Sequence, residues 1–132
     1  MLGMADALVK HSELVEKHFG KAVEDREHGF VAFNTAWFSD GLFVLIPARQ
    51  VLAKPLQLLH VVTEAEALAT TRNLIVAETM AQAEIIETYV GVDSAYLSAV
   101  VNEVYVGENA DLTLYKLQIE SEKAYHFGGT YI

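Results

Sequence analysis

Short β-type segments closed by turn signals constrain this chain more than any other feature of its sequence. From Leu42 to Ile132, runs rich in Val, Ile, Leu and Tyr alternate with residues that favour chain reversal. The turn signals are Ser39-Asp40-Gly41, Lys54-Pro55, Gly91-Val92-Asp93, Gly107-Glu108-Asn109 and Gly128-Gly129. The pattern predicts a mainly β region that begins near Leu42.

The segments repeat at a spacing of roughly 30 residues, which is typical of stacked structural units. Val76–Ala81 with Ile85–Glu87 matches Val106–Ala110 with Leu114–Lys116 if one deletion is allowed, and Ile46 to Leu56 falls at a similar spacing upstream. A strand, a tight turn and a second strand at this period predict the coils of a solenoid, because each coil buries its apolar face by stacking on the next. A β-sandwich also has short strands at regular spacing and is the alternative.

Side-chain patterns assign the faces of two segments. In 115–120, apolar and polar residues alternate, which predicts that one face is solvated. Tyr115, Leu117 and Ile119 face one way, and Lys116, Gln118 and Glu120 face the other. Leu42–Ile46 is apolar at every position, as expected of a strand that is covered on both faces.

The residues before the β region predict helical structure. A helix is expected over Asp6–Phe19. Its apolar stripe contains Leu8 and Val15 and ends at Phe19, and Gly20 follows at a position that favours a helix end.

Two further segments precede the first predicted strand. Lys21–Gly29 is charged and aperiodic, and is predicted to be a loop. Phe30–Ser39 is predicted to be either a short buried helix or a strand, because its apolar residues are too dense for periodicity to decide. The chain is therefore divided into an N-terminal helical segment and cap, 1–41, and a partial β-helix core, 42–132, within one structural domain.

Asn34 is the only strongly polar side chain within Phe30–Phe38. A buried amide needs its donors and acceptors satisfied, so we expect Asn34 to cap or tie a helix end to the next strand. The surrounding aromatic residues are expected to form a hydrophobic lid that closes the first coil. These are Phe30, Phe33, Trp37, Phe38 and Phe43.

Charge and composition argue against several classes of partner. The 132 residues include 9 Lys and Arg against 18 Asp and Glu, a formal net charge of −9, so we expect no nucleic-acid partner. The hydrophobic fraction of 52% is high, which favours a buried interface with a partner chain or with a missing continuation of the same chain. The longest apolar runs, such as Phe30–Ser39, fall short of the ~18 residues of a membrane span, and we expect no membrane partner. Met1–Met4 does not begin a recognisable secretory signal.

The chain has no cysteine, and therefore no disulfide, no thiolate nucleophile and no Cys-based ligand set for zinc or an iron–sulphur cluster. This composition fits a reducing cytoplasm. Phosphate-binding loops, nucleophile elbows and His-Glu-x-x-His pairs are also missing from the sequence. We therefore expect no enzymatic activity and predict no catalytic residues.

The histidines predict no metal site, and their functional role stays open. They are His11, His18, His28, His60 and His126. His11 and His18 share a helix face without a third ligand between them, so we interpret them as surface or packing residues. His60, in phase with Leu56 and Leu58, and His126, beside Tyr125, are expected to be partly buried strand residues. Each becomes a ligand only if another such group converges on it.

Acidic residues cluster in the middle of the chain. A pair of carboxylates can carry out acid–base chemistry, but nothing in the sequence places two of them across a cleft. We interpret the cluster as a solvated acidic surface that keeps the fold soluble. Its members are Glu64, Glu66, Glu78, Glu84 and Glu87.

Several ordered motifs resemble the SufB/SufD family of iron–sulphur cluster assembly proteins, over about Phe19 to Tyr131. The motifs are Phe30–Pro47, Lys54–His60, Arg72–Glu78, Glu87–Val90, Asn102–Ala110 and Ala124–His126. SufD fits better than SufB, because this chain has Ser39-Asp40-Gly41 where SufB-type chains typically read Ser-Gly-Gly.

The resemblance implies a right-handed parallel β-helix in a cytoplasmic complex with SufB-like and SufC-like subunits, where clusters are assembled and passed on. It also implies that this chain is a fragment, because family members continue into further coils and a helical SufC-docking region. The family's proposed cluster-binding residues, a Cys of SufB and a His of SufD, lie in those later coils. No position here matches them, so this segment is expected to bind no cofactor itself, and the cluster belongs to the full complex.

The leading hypothesis is a non-catalytic scaffold piece whose exposed coil end, after Tyr131, supports homo-oligomers. The alternative is a small cupin-like metal-dependent β-roll enzyme, although such folds typically show two histidines one residue apart, and no such pair occurs. A carbohydrate-binding β-helix needs an exposed aromatic ladder, for which Tyr89 and Tyr115 are too few.

Overall fold

Strands dominate the part of the chain that the computed structural model describes, which is residues 1–23 and 28–132. The elements are β1 (Leu2–Gly3), α1 (Met4–Lys10), α2 (Ser12–His18), α3 (Gly29–Trp37), β2 (Leu42–Ile46), β3 (Leu56–Val62), β4 (Leu68–Ala77), β5 (Gln82–Gly91), β6 (Leu97–Val106), β7 (Asp111–Ile119) and β8 (Tyr125–Tyr131). The mainly β class and the start of the β region at Leu42 are confirmed.

The strands alternate between two sheets. Sheet A has the order β1-β2-β4-β6-β8, and sheet B has the order β3-β5-β7. Every pair of neighbours is parallel except the short β1, which runs antiparallel to β2. Each coil thus contributes one strand to each sheet, and the chain forms a parallel β-solenoid of about 3 turns. Parallel pairing is incompatible with the antiparallel sheets of a β-sandwich.

The stacking register confirms the period that the sequence predicts. Leu74 lies opposite Glu103, 29 residues later, and Ile85 lies opposite Leu114 at the same spacing. The predicted alignment of the repeats, which needed one deletion, is wrong, because Val106 pairs with Ala77 rather than with Val76. A constant offset keeps inward side chains in phase from coil to coil, which a deletion would reverse.

One turn recurs in three successive coils. Arg49, Met80 and Asn109 have positive φ angles of 64°, 61° and 54° and occupy equivalent positions. Backbone hydrogen bonds join these turns: the Arg49 amide donates to Thr79 O, and the Met80 amide donates to Glu108 O, both at 2.9 Å. The predicted turn at 107–109 is therefore confirmed, whereas the one at Gly128-Gly129 is wrong because both glycines lie inside β8.

Apolar residues fill one half of the interior between the sheets. This core contains Val44, Ile46, Leu58, Ile75, Ala77, Ala81, Ala83, Ile85 and Val104. In β2, Val44 and Ile46 point into this core, and Phe43 packs on the opposite side of sheet A. The prediction that this strand is covered on both faces is confirmed.

The outer face of sheet A is covered by the helices. Met4, Ala7 and Val15 pack there against Phe43 and Leu74. Further along, Val31 of α3 packs against Val101 of β6. The three helices are too short to be stable alone. Burial of their apolar side chains, which contributes roughly 25 cal/mol per Å² of apolar surface, is therefore their main source of stability.

The predicted first helix is wrong in two details. It is interrupted at His11, whose backbone angles of −136° and 37° separate α1 from α2. Leu8 does not belong to the buried stripe, since 53% of its surface is exposed. The break rotates α2 relative to α1, so a single helical periodicity cannot describe both. Gly20, at φ 72°, follows α2 as expected.

The predicted loop over Lys21–Gly29 is only partly tested. Residues 24–27 lie outside the described residues, and α3 begins at Gly29. The choice between helix and strand over Phe30–Ser39 is resolved as a helix. None of the helices in the described part of the chain is long and apolar enough to cross a bilayer.

The prediction of an aromatic lid is wrong, because α3 contacts β4 and β6 on the flank of sheet A rather than the end of the first coil. Trp37 and Phe30 are 63% and 54% exposed, while Phe43 is buried within β2. Asn34 is buried as expected, but it does not cap a helix. Its Nδ2 donates to the carbonyl oxygens of Thr71 and Ala99, both at 2.9 Å, and ties α3 to two neighbouring strands.

Candidate functional site

The interior of sheet B changes from apolar to polar along each coil. Ile85 is buried in the apolar core, and Glu87 and Tyr89 share its inward direction because strand side chains alternate with a period of two. The register stacks Leu58, Glu87 and Lys116 in one column. At the position where the first coil carries leucine, the second coil therefore carries a carboxylate and the third an amine.

The apolar and polar residues of β7 alternate as predicted. Unlike an ordinary surface strand, however, β7 has its apolar row on the outer side of the sheet. Lys116 follows Glu87, so the polar row is in phase with the interior. Tyr115, Leu117 and Ile119 belong to the outward row, where they are 51%, 41% and 64% exposed.

Polar side chains from both sheets meet in this half of the interior. We call them the interior polar cluster. Its members are His60, Asn73, Glu87, Tyr89, Asn102, Lys116, Glu120 and His126, supplied by β3 to β8 and the residue that follows β7.

Glu87 is the anion at the centre of the cluster and is almost fully buried. Asn102 Nδ2 donates to its Oε2 at 2.9 Å and to its Oε1 at 3.1 Å, and His60 Nε2 lies 3.3 Å from Oε1. Asn73 supports this arrangement by donating from Nδ2 to Asn102 Oδ1 at 2.8 Å. Burial alone would raise the pKa of Glu87, but the contacts with His60, Tyr89 and Asn102 outweigh it and lower the pKa below its ordinary value.

Tyr89 separates the two strand histidines. Its ring stacks on His60 with centroids 4.6 Å apart and an angle of 10°, and His126 meets it edge-on at 4.6 Å and 76°. Lys116 Nζ lies 5.1 Å from the ring centroid. Burial, together with the charge of Glu87, raises the pKa of the Tyr89 hydroxyl, so this phenol stays protonated at neutral pH.

His126 lies between a cation and a carboxylate. Lys116 Nζ is 2.9 Å from Nε2, and Glu120 Oε2 is 2.8 Å from Nδ1. Burial and the Lys116 charge outweigh Glu120 and lower the pKa of His126. The neutral ring fits both contacts, with Nε2 accepting from Lys116 and Nδ1 facing the Glu120 carboxylate.

Two cavities border the cluster. The larger, about 350 Å³, is lined on its polar side by His60, Asn73, Tyr89, Ser98 and Glu120. The smaller, about 260 Å³, lies toward β8 and is lined there by Glu87, Asn102, Lys116 and Thr130. Residues of the cluster therefore line both cavities.

The cluster offers charges of both signs and hydrogen-bonding groups that largely engage one another. In the described part of the chain, no group of three or more His, Cys, Asp or Glu residues converges as a metal site. Glu87, Asn73 and Asn102 hydrogen-bond one another, while the buried Tyr89 hydroxyl has no hydrogen-bond partner among the described residues.

The structure sorts the predicted residues into two groups. It brings His60 and His126 together around Tyr89, whereas the other three histidines pack outside the cluster. His11 contacts Phe43, His18 contacts Tyr105 and His28 contacts Tyr131, at 5.6, 4.3 and 6.4 Å between ring centroids.

The prediction of a solvated acidic surface is wrong for one of the residues assigned to it. Glu87 is 8% exposed because it lies in phase with the buried Ile85, while Glu64, Glu66 and Glu84 are exposed as expected. The repeat itself carried the missed signal: it aligns Glu87 with Lys116, and the i+2 relation to Ile85 gives both an inward direction.

Comparison with known proteins matches two family descriptions in chain order. "SufBD protein N-terminal region" matches residues 1–58, and "SUF system FeS cluster assembly, SufBD core domain" matches residues 60–132. The chain belongs to the SufBD family. The resemblance drawn from the motifs is thereby confirmed at family level, and the closer likeness to SufD stays a prediction.

Curated SufBD relatives are considerably longer than this chain. An iron–sulphur cluster assembly SufBD family protein of Synechocystis sp., slr0076, is 31% identical over 91% of this chain and 29% of its own length. A second Synechocystis protein, slr0074, is 33% identical over 83% of this chain and 23% of its own length. A chloroplastic protein of Arabidopsis thaliana, ABCI8, is 31% identical over 83% and 20%. The chain spans less than a third of each of these relatives.

Proposed function

We propose that this chain is a non-catalytic scaffold piece of the iron–sulphur cluster assembly machinery, acting with SufB-like and SufC-like subunits in the cytoplasm. The observation that carries the proposal is the ordered match of both SufBD family regions, over 1–58 and 60–132, to one continuous chain. The stacked solenoid supports it, because repeating coils present long side and end surfaces for partners.

The interior polar cluster supports a structural rather than a catalytic role. The Glu87 carboxylate is held by Asn102 and His60, and Lys116 is held by His126. Groups engaged in this way fix the coil register more readily than they attack a substrate. The iron–sulphur cluster is then cargo of the full complex rather than a ligand of this segment.

The cupin-like alternative does not fit the fold. A jelly roll is built from antiparallel strands, whereas β2 to β8 pair in parallel within each sheet. Metal analysis of the purified chain separates the two functions, since one tightly held ion per chain would favour the enzyme.

The edge strands β7 and β8 are the proposed site of subunit association. β8 ends sheet A and β7 ends sheet B, so each leaves one edge unpaired among the described strands. An unpaired parallel edge is a template for another strand, whether from a SufB-like subunit or from a second copy of this chain.

Co-expression with SufB-like and SufC-like subunits tests the scaffold role. We expect the tagged chain to retain both subunits through size-exclusion chromatography, with a mass from light scattering that equals the sum of the components. Thr130→Pro, in the edge strand β8, is expected to abolish retention while leaving the isolated chain folded by circular dichroism. A strictly monomeric chain that retains neither subunit would contradict the proposal.

A further inference from the structure

The centre of the outer face of sheet B is an apolar surface without charge. Three outward positions on each of β3, β5 and β7 align into three columns through the strand register. The columns are Gln57, Ile86 and Tyr115; Leu59, Thr88 and Leu117; and Val61, Val90 and Ile119. We call these nine residues the sheet B face. Its two polar members are uncharged and engage each other, with Gln57 Nε2 donating to Thr88 Oγ1 at 2.7 Å.

The apolar side chains of this face are accessible to solvent. Leu59 and Val61 are 57% and 53% exposed at one edge, and Ile119 is 64% exposed at the other. A contiguous block of this kind on a chain of net charge −9 marks an interaction surface rather than scattered exposed residues.

Sheet A shows how this chain covers an apolar outer sheet face. There, Ala7 and Val15 of two short helices pack on Phe43 and Leu74. Within the described residues, no helix packs on sheet B. The described residues leave the same physical requirement on the opposite side of the solenoid unmet.

The dimensions of the sheet B face fit one helix. Three strands about 4.8 Å apart give a width close to the ~10 Å diameter of an α-helix, and five residues along a strand span ~17 Å, or about three helical turns. The same block is too small for a stable homodimer, which buries roughly 800 Å² on each partner.

Acidic residues flank the face at both ends of its strands. Glu84 lies before the block on β5, and Glu64 and Glu66 follow the end of β3. We infer that the sheet B face docks an amphipathic helix of a partner protein, with an apolar stripe at its centre and Lys or Arg at its ends. The inference is independent of the scaffold role.

Three synthetic helical peptides test this inference on the full 132-residue chain. The first has a leucine stripe and lysines at both ends, the second replaces those lysines with glutamates, and the third scrambles the first so that no stripe forms. Fluorescence anisotropy measures the affinity, and amide chemical shifts of the labelled chain locate the site. We expect saturable binding of the first peptide, at least tenfold tighter than either of the others, with shifts concentrated at Leu59, Val61, Leu117 and Ile119.

Matched variants separate this face from other apolar residues. Leu117→Gln with Ile119→Gln is expected to weaken binding of the first peptide at least tenfold. Leu68→Gln with Tyr125→Gln changes two exposed apolar residues on sheet A strands and is expected to leave the affinity within twofold. Circular dichroism melts show whether each pair of substitutions leaves the chain folded.

Several outcomes would overturn the inference. Equal affinity for the lysine and glutamate peptides would show that the partner helix does not need basic ends. Chemical shift changes located elsewhere on the chain would show that the sheet B face is not the binding site. Dimerisation of the unmodified chain in sedimentation equilibrium, abolished by the Leu117 and Ile119 substitutions, would assign the face to a second copy instead.

Discussion

Arg72 Nη2 and Glu103 Oε1 lie 2.8 Å apart on adjacent strands, and their side chains are only 2% and 0% exposed. The pair also holds the N-terminal region on the solenoid. Glu103 accepts hydrogen bonds from the Gly20 and Ala22 amides, and Arg72 Nη1 donates to Thr35 Oγ1. A buried ion pair thus connects β4 and β6 to the chain segments on both sides of residues 24–27.

Breaking this pair is expected to destabilise the fold strongly. Glu103→Ala leaves the buried Arg72 guanidinium without its anion, and leaves the Gly20 and Ala22 amides without an acceptor. We expect a loss of about 3–5 kcal/mol in the free energy of unfolding, measured by urea denaturation.

Two comparisons make that result interpretable. Arg72→Met combined with Glu103→Leu removes both charges and should cost less than Glu103→Ala, because no unpaired charge stays buried. Lys123→Ala removes an exposed ion pair with Asp93 and should change stability little. A Glu103→Ala variant as stable as Lys123→Ala would show that the buried pair holds nothing in place.

The solenoid could be predicted because its determinants are local and repeat. Ile85 and Leu114 occupy matching positions in consecutive strands, and the turn at Asn109 has the residue types that reverse a chain. Each coil then stacks on its neighbour with an offset that the repeat itself displays.

The packing of the helices could not be predicted, because its determinants are distant in sequence. Glu103 binds Gly20 across 83 residues, and Asn34 binds Ala99 across 65. Nothing in a local pattern connects these positions. The helix break at His11 follows from the same tertiary packing, which overrides the continuous periodicity of the segment.

The interior polar cluster is only partly predictable from the sequence. His60 is expected to be a partly buried strand residue, and the structure confirms it. The sequence pattern assigns Glu87 to solvent, because charged residues are seldom buried unless paired. Its partners His60 and Asn102 reach it only when the coils stack, so the pattern of a single strand places this carboxylate on the wrong side.

His126 is expected to titrate below the ordinary histidine pKa of 6.5, since burial and Lys116 both favour the neutral ring. Because the folded pKa is depressed, the unfolded chain binds more protons, and the contribution of His126 to stability is present above pH 6.5 and lost as the pH falls through the folded pKa. Nuclear magnetic resonance titration of the ring gives the folded value directly.

Lys116→Met provides the matched test of the cause. Removing the amine that lies 2.9 Å from Nε2 is expected to move the His126 pKa upward and to reduce the loss of stability between about pH 7 and the folded pKa. An unchanged His126 titration in this variant would assign the depression to burial alone.

The repeated left-handed turn offers a stabilising substitution. Met80 has a φ of 61°, a conformation that asparagine adopts more readily than methionine, and the equivalent residue of the next coil is Asn109. Met80 is 48% exposed, so little packing is lost on replacement. We expect Met80→Asn to raise the free energy of unfolding by roughly 0.5–1 kcal/mol, whereas Met80→Val should lower it because β-branched residues resist positive φ. Thermal and urea denaturation of the two variants check the opposite signs.

Gly41 lies where the backbones of the first two coils approach each other closely. A Cβ at this position would overlap the carbonyl group of Arg72, whose amide donates to Asp40 O at 3.0 Å. Since the obstructing atoms are backbone, relief requires the coils to separate, and Gly41→Ala is expected to cost at least ~2 kcal/mol in urea denaturation. Gly29→Ala is the control, because no atom lies within 4 Å of the position that its methyl group would take, and alanine favours the helix. Equal stability of the two variants would mean that the coils are not held at this spacing by the Asp40 and Arg72 backbone contact.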